Sequence, residues 1–333
     1  MTFSFRPAKR ENVQLLIGLA GGTGSGKTFS AFELATGIAE VMGGKPAVID
    51  TEARRALHYA DRFDFEHGDL QAPFTPARYL EAMEAAAAAG YPVILVDSMS
   101  HEYAGDGGIL DMQEAEFQRM GGRDSVKMAS WIKPKMEHKA FVQRLLQIRA
   151  HLILCFRAEP KVDMVKENGK TVIVPKQTLT GLDGWVPVTE KNLPFELTAS
   201  FLLHAEAPGV PRPIKLQEQH RALFPAGQPI TRESGRMVAR WARGEDIAPA
   251  STGAKRAPKV DDEAALATAL SKLAIAGVTR EAVIEHLEHA PTVSDLPELR
   301  KLYATATASK APAAPPPAAA SQSAPPADEG RHF

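Results

Sequence analysis

Cysteine is almost absent from the chain. Cys155 stands alone among 333 residues, so no disulfide can form within the chain, and a cross-linked secreted scaffold is excluded. Cys155 lies in the apolar run Leu152-Ile153-Leu154-Cys155-Phe156 and reads as a small buried hydrophobe. Long hydrophobic runs are also missing. The longest are strand-sized, so no membrane span is expected. Residues 1–7 show no apolar leader core, and a cytoplasmic location is expected. Neither sign of charge dominates. The formal net charge is −1, so any surface that attracts an anionic polymer must be local. His58, His67, His101, His138 and His151 are not spaced as metal ligands and read as surface or capped histidines. No Ser-His-Asp or paired-cysteine pattern appears.

What is present is a glycine-rich motif in a telling context. Gly21-Gly22-Thr23-Gly24-Ser25-Gly26-Lys27-Thr28 fits the P-loop pattern in full. An apolar strand-like run, 13–20, leads into it, and a helical stretch, 27–42, leaves it. Glycines let backbone N–H groups curl around phosphate oxygens, and the helix start adds unpaired N–H groups with partial positive charge. Lys27 is placed to reach the β- and γ-phosphates of ATP, and the Thr28 hydroxyl to hold Mg²⁺.

Residues 13–157 alternate apolar strands (13–20, 46–51, 92–97, 151–156) with helices (27–42, 76–89, 125–149), the pattern of a parallel sheet with crossover helices. The run Tyr91–Asp97 is an apolar strand ending in a carboxylate, the Walker B form, with Asp97 facing Thr28 and serving Mg²⁺. Ala47-Val48-Ile49-Asp50-Thr51-Glu52 ends at the sheet edge where ligands of open α/β sheets bind. Glu52 there can orient and deprotonate water, although Asp50 and Glu52 can equally be polar strand ends.

Beyond this core, Lys161–Lys166 and Thr171–Val174 flank an Asn168-Gly169 hairpin signal. Strands are expected at 196–204 and 213–217 and a short helix at 230–243. The expected organisation is a core with a β-rich extension (158–217) over 1–245 and a linker at 246–260. A small helical module at 261–308, suited to a protein partner, and a disordered Ala/Pro-rich tail at 309–333 complete it.

Read together, Ala47–Asp61 and Val93–Ser98 are similar to the RecA/RadA-type recombinase core, most closely to the compact phage-type ATPases of recombination and single-strand annealing. The resemblance covers about 12–205. It implies a RecA-like P-loop NTPase fold, α/β with a mostly parallel central sheet and flanking helices. It also implies Mg²⁺-dependent ATP hydrolysis coupled to single-stranded DNA, with Glu52 acting on the water and Lys27 and Asp97 in their P-loop and Walker B roles. A homo-oligomer is implied too, with a cation supplied by a neighbour; Lys161, Lys166, Lys176 and Lys191 are the candidates. The chain departs from bacterial RecA at Arg157, where that family has a glutamine. Sensing phosphate, contacting DNA and pairing with Glu159 are all open to Arg157. The P-loop begins at Gly21, so assembly is expected to use surfaces other than an N-terminal polymerisation helix.

From Arg119 to Lys161 positive residues outnumber negative ones by seven, in a chain that is otherwise near neutral. Arg123, Lys127, Lys133, Lys135, Arg157 and Lys161 are the candidate DNA contacts, with Trp131 and Phe117 as possible base-stacking partners. A solvated basic helix with Trp131 in the core accounts for the same residues. Glycines at 105, 107, 108, 121 and 122 suggest that the preceding segment is a flexible loop. A helicase or packaging motor would share the ATP site, and an ATP-dependent scaffold would need no DNA at all.

Overall fold

The computed structural model describes Phe5, residues 7–167, 170–175 and 184–247, and, within 266–308, residues 266, 268–271, 273, 274, 277–287, 289, 291 and 295–308. The expected Asn168-Gly169 turn, Lys176, the tail at 309–333 and all but the first two residues of the expected linker lie outside these. The chain divides into two units, Met1–Thr252 and Gly253–Phe333.

The first unit is built on one sheet. Strands β1 (Leu16–Gly21), β2 (Ala47–Asp50), β3 (Glu66–Asp69), β4 (Val93–Asp97), β5 (His151–Pro160), β8 (Trp185–Pro187), β9 (Ala199–His204) and β10 (Ala207–Lys215) belong to it; β6 (Val162–Glu167) and β7 (Lys170–Pro175) form a separate hairpin. The order is β10-β9-β1-β5-β4-β2-β3, with β8 on β5. All pairs from β9 to β3 are parallel, while β10 and β8 run antiparallel. The core strands read as unbroken apolar runs because both faces are covered. Ile17, Leu19, Val93, Leu95, Ile153 and Cys155 point into one core, with helix α1 (Lys27–Met42) and the helix Arg232–Ala242. Leu16, Ala20, Ile94, Val96, Leu152 and Leu154 point into the other, with α2 (Pro76–Ala88) and α5 (Ile132–Leu145). Alternate residues of one strand thus fill opposite cores. Cys155 is fully buried, and burial pushes its thiol well above the usual range.

Strand β5 lies between β1 and β4, so the P-loop strand and the Asp97 strand are second neighbours. The register aligns Gly21 with Arg157, and Asp97 with Cys155 and Asp50. The carboxyl ends of β1, β2, β4 and β5 therefore open on one edge of the sheet.

Two expectations need correction, and one strand was not expected. The single helix at 125–149 is instead two 3₁₀ turns, Asp124–Val126 and Ala129–Trp131, followed by α5. Pro134 explains the late start, since it has no N–H to donate and fits only the first turn of a helix. The glycine-flanked segment is not a loop. It holds α3 (Ser100–Ala104) and α4 (Ile109–Arg119), with Gly108 at the α4 N-cap and Gly121 and Gly122 in left-handed conformations after it. Edge strand β3, Glu-His-Gly-Asp, has no apolar pattern to announce it.

The second unit carries helices Arg280–Leu287 and Leu296–Ala308 around a small core of Leu273, Val283 and Leu299. No helix among the described residues is long and apolar enough to cross a membrane.

His151, at the start of β5, is buried and accepts the Leu15 backbone N–H on Nδ1 at 3.2 Å. Burial disfavours the imidazolium and pushes its pKa down from 6.5 to about 4. The unfolded chain therefore takes up the proton first. Stability is fully present above about pH 6.5 and is lost as the pH falls toward 4, by roughly 3 kcal/mol in all. Denaturant titrations across that range should show a shallower acid limb for His151→Gln, which keeps an acceptor for Leu15 and removes the titrating group. An unchanged limb would assign the loss to other groups.

Candidate active site

The P-loop runs from the end of β1 to the start of α1. Gly24 and Gly26 both have φ of 77°, a left-handed conformation that side chains resist. The loop is also walled in. A Cβ on Gly26 would lie 2.8 Å from the Gly209 nitrogen, and one on Gly22 would lie 2.9 Å from the Trp185 ring. The Gly209 N–H donates to the Ser25 carbonyl at 2.9 Å, so β10 braces the loop from behind. The Ser25 hydroxyl is buried and has no hydrogen-bond partner. The α1 start presents N–H groups with no partner within the helix. A glycine-only cradle, an orphaned buried hydroxyl and a helix N-terminus together fit the phosphates of a nucleotide.

Next to the loop, Lys27, Thr28 and Asp97 form one cluster. Lys27 Nζ lies 3.0 Å from Asp97 Oδ1, and the Thr28 hydroxyl donates to Asp97 Oδ2 at 2.6 Å. Burial alone would lower the Lys27 pKa, but the Asp97 carboxylate outweighs it and holds the ammonium above its ordinary value. Lys27 is thus a committed cation. No group of three His, Cys, Asp or Glu that could hold a metal ion exists among the described residues. Thr28 and Asp97 offer two oxygens, which suits Mg²⁺ completing its shell with phosphate and water oxygens.

The structure separates Asp50 from Glu52. Asp50 is buried, and its carboxylate accepts the backbone N–H groups of Glu52 at 2.7 Å and Ala56 at 2.8 Å, with His67 Nε2 at 3.2 Å. It is consumed in holding the turn after β2. Glu52 is left with a partly exposed carboxylate, 2.9 Å from Arg55 Nη1. Thr28, Glu52, Arg55, Tyr59 and Asp97 line one cleft of about 370 Å³. Glu52 and the cluster around Asp97 thus share a cavity large enough for part of a nucleotide.

A clamp fixes these strand ends. The Thr51 hydroxyl donates to the Ser98 carbonyl and accepts the Ser98 N–H, both at 2.9 Å. It also lies 2.8 Å from His101 Nδ1, and Tyr79 donates to the same carbonyl at 2.8 Å. The Thr51 proton serves Ser98, so His101 Nδ1 is the donor in their bond. The Asp97–Ser98 peptide bond is cis. Sequence patterning missed Thr51, Ser98, Tyr79 and His101, because only the pairing of β2 with β4 brings them together.

The six candidate DNA contacts Arg123, Lys127, Lys133, Lys135, Arg157 and Lys161 are all exposed. None of them is in an ion pair among the described residues. Arg119 and Arg144 of the same stretch are paired, with Glu116 and Glu84. Arg157 does not pair with Glu159; its backbone N–H donates to Ser100 Oγ at 2.9 Å. Trp131 and Phe117 are both half-buried, and Lys135 Nζ stands 5.8 Å from the Trp131 ring centre. Lys161, Lys166 and Lys191 are exposed. His138 on α5 hydrogen-bonds the buried Glu102 of α3 at 2.9 Å, joining the segment after Asp97 to the basic helix.

Residues 14–189 match the family model of the AAA domain. No curated protein matches the chain. The match spans more than half of the 333 residues, and the chain belongs to that AAA domain family. Membership implies a P-loop fold that binds and hydrolyses nucleotide.

Proposed function

We propose that this AAA-domain protein is a Mg²⁺-dependent ATPase of the compact phage RecA/RadA-like type, with hydrolysis coupled to single-stranded DNA in recombination or annealing. The observation that carries the ATPase reading is the shared cleft, lined by Thr28, Asp97 and Glu52, with Lys27 bonded to Asp97 and the Glu52 carboxylate held only by the exposed Arg55. The P-loop N–H groups seat the phosphates. Mg²⁺ held by Thr28 and Asp97 would neutralise charge on the β- and γ-phosphates. Lys27 stabilises negative charge on the transferred phosphoryl group, and Glu52 orients the attacking water and takes its proton. In a homo-oligomer, Lys161, Lys166 or Lys191 of a neighbouring copy would complete the charge balance.

The DNA part of the reading rests on cations left without carboxylate partners. Lys127, Lys133 and Lys135 are exposed and in no ion pair among the described residues, whereas Arg119 and Arg144 are paired. Reversing all three charges should weaken binding of a single-stranded oligonucleotide while sparing ATP binding. Each phosphate contact releases counterions, so the slope of log affinity against log salt should become shallower by about 2 for three lost contacts. Measuring ATPase rate with and without single-stranded DNA tests the coupling itself. Equal rates, together with equal salt slopes for the two proteins, would favour an ATP-dependent scaffold and leave the P-loop reading standing.

A further inference from the structure

Helix α5 is apolar on two opposite faces. Pro134, His138, Phe141 and Leu145 turn inward and are buried. At 100° per residue, Met136 points about 200° away from His138, toward solvent. Met136 is 66% exposed, Ile132 61% and Met128 81%. Ile132, Met136 and the exposed Ala140 recur every fourth residue along α5, and Met128 precedes them in the turn before the 3₁₀ helix. Large apolar side chains at such exposure, two of them in register on one helix face and a third just before that helix, mark an interaction surface rather than a scattered surface hydrophobe. The rim is charged. Lys133, Lys135 and Lys139 are exposed beside the row, opposed by the half-buried Glu137 and, at Lys133, by the field of Glu116, which Arg119 already pairs.

The rim decides what can cover the row. A second copy meeting it through the same face would bring these lysines against their own counterparts, and a self-complementary interface cannot tolerate that. Nucleic-acid bases stack on flat aromatic faces, and the row has none; the nearby Trp131 is half-buried with Lys135 over it. Thioethers and an isoleucine instead receive apolar side chains of varied shape, as methionine-rich protein-binding faces do. An apolar centre with a cationic rim is complementary to apolar anchors flanked by carboxylates.

We propose that the Ile132–Met136 face of α5, with Met128 of the turn before it, docks a partner protein through an acidic, amphipathic helical segment of that partner, with apolar anchors at three- and four-residue spacing. The helical part of the row, Ile132 to Ala140, spans about 12 Å at 1.5 Å per residue, so roughly two turns of partner helix would cover it, with Met128 beyond its end. This surface is independent of the ATP cleft. It shares Lys133 and Lys135 with the proposed DNA contacts, so the two ligands should compete where both reach those lysines.

The test uses the full chain and three fluorescent probes. One is an 18-residue Leu/Glu peptide with leucines at helical spacing, one is the same composition scrambled, and one is an oligo-dT single strand. The expected result is saturable binding of the patterned peptide and at least tenfold weaker binding of the scrambled one. Met128→Ser, Ile132→Ser and Met136→Ser together should cost at least tenfold in patterned-peptide affinity and leave oligo-dT affinity within twofold. Thermal melting checks that the triple variant is folded, and Met136→Lys alone serves as a second, milder disruption with the same expected direction. Failure of the patterned peptide to bind overturns the proposal. Equal binding of the scrambled peptide would reduce the effect to charge, and unchanged affinity in the variants would place the contact elsewhere; either result overturns it. Loss of oligo-dT affinity in the serine variant would mean that bases cover the row, which also overturns it. The DNA reading fails on a different arm, charge reversal of the lysines with no effect on oligo-dT.

Discussion

Replacing Lys27 with Ala is expected to abolish ATP hydrolysis and to weaken ATP binding. Lys27 is largely buried beside Asp97, and its neighbour keeps it charged at any working pH. No other lysine or arginine pairs with Asp97 among the described residues, so nothing replaces the missing charge at the transferred phosphoryl group. The substitution has a second effect that must be read separately. Asp97 would keep only the Thr28 hydroxyl as partner, and a buried carboxylate without its cation costs up to a few kcal/mol of stability. Melting curves taken beside the activity assay separate the two effects. Combining Lys27→Ala with Asp97→Asn removes the stranded charge and should recover stability without recovering activity. A folded Lys27→Ala protein that turns over ATP at the wild-type rate would remove the P-loop from the chemistry.

How far the sequence predicts this site depends on whether a feature is local. The P-loop is local: its glycines, Lys27 and Thr28 are consecutive, and the flanking strand and helix are strongly patterned. Strands β1, β2, β4 and β5 are legible for a related reason, since burial on both faces leaves continuous apolar runs. Strand β3 sits at the sheet edge, mostly exposed, and its residues carry no such run. Helix α4 buries only Ile109, so its periodicity is faint, and glycines at both ends suggest a loop where they in fact delimit a helix. The charge excess from Arg119 to Lys161 is an overcount of available cations, because Glu116 and Glu84 lie outside the stretch and neutralise two of them. Pairing of that kind is tertiary and leaves no mark on a linear count.

Asp50 and Glu52 show the same limit at the level of a single carboxylate. Both stand at the end of β2, two residues apart, and spacing cannot rank them. The structure ranks them by asking what each oxygen already does. The Asp50 oxygens are engaged by two backbone N–H groups and His67, so a water could be activated there only by dismantling the turn. Glu52 is tied only to Arg55, whose side chain is largely exposed, and a pair with one partner in solvent is cheap to open. Glu52→Gln is therefore expected to leave ATP binding and melting temperature near wild type and to slow hydrolysis by roughly 10²-fold or more, the range for losing a general base. Asp50→Asn should behave in the opposite sense, lowering stability through the turn that Asp50 holds. Single-turnover hydrolysis and nucleotide binding measured on both variants decide between the two. Unchanged hydrolysis in Glu52→Gln, or loss of ATP binding along with it, would take the water-activating role away from Glu52. A stable Asp50→Asn protein with the larger fall in rate would hand that role to Asp50.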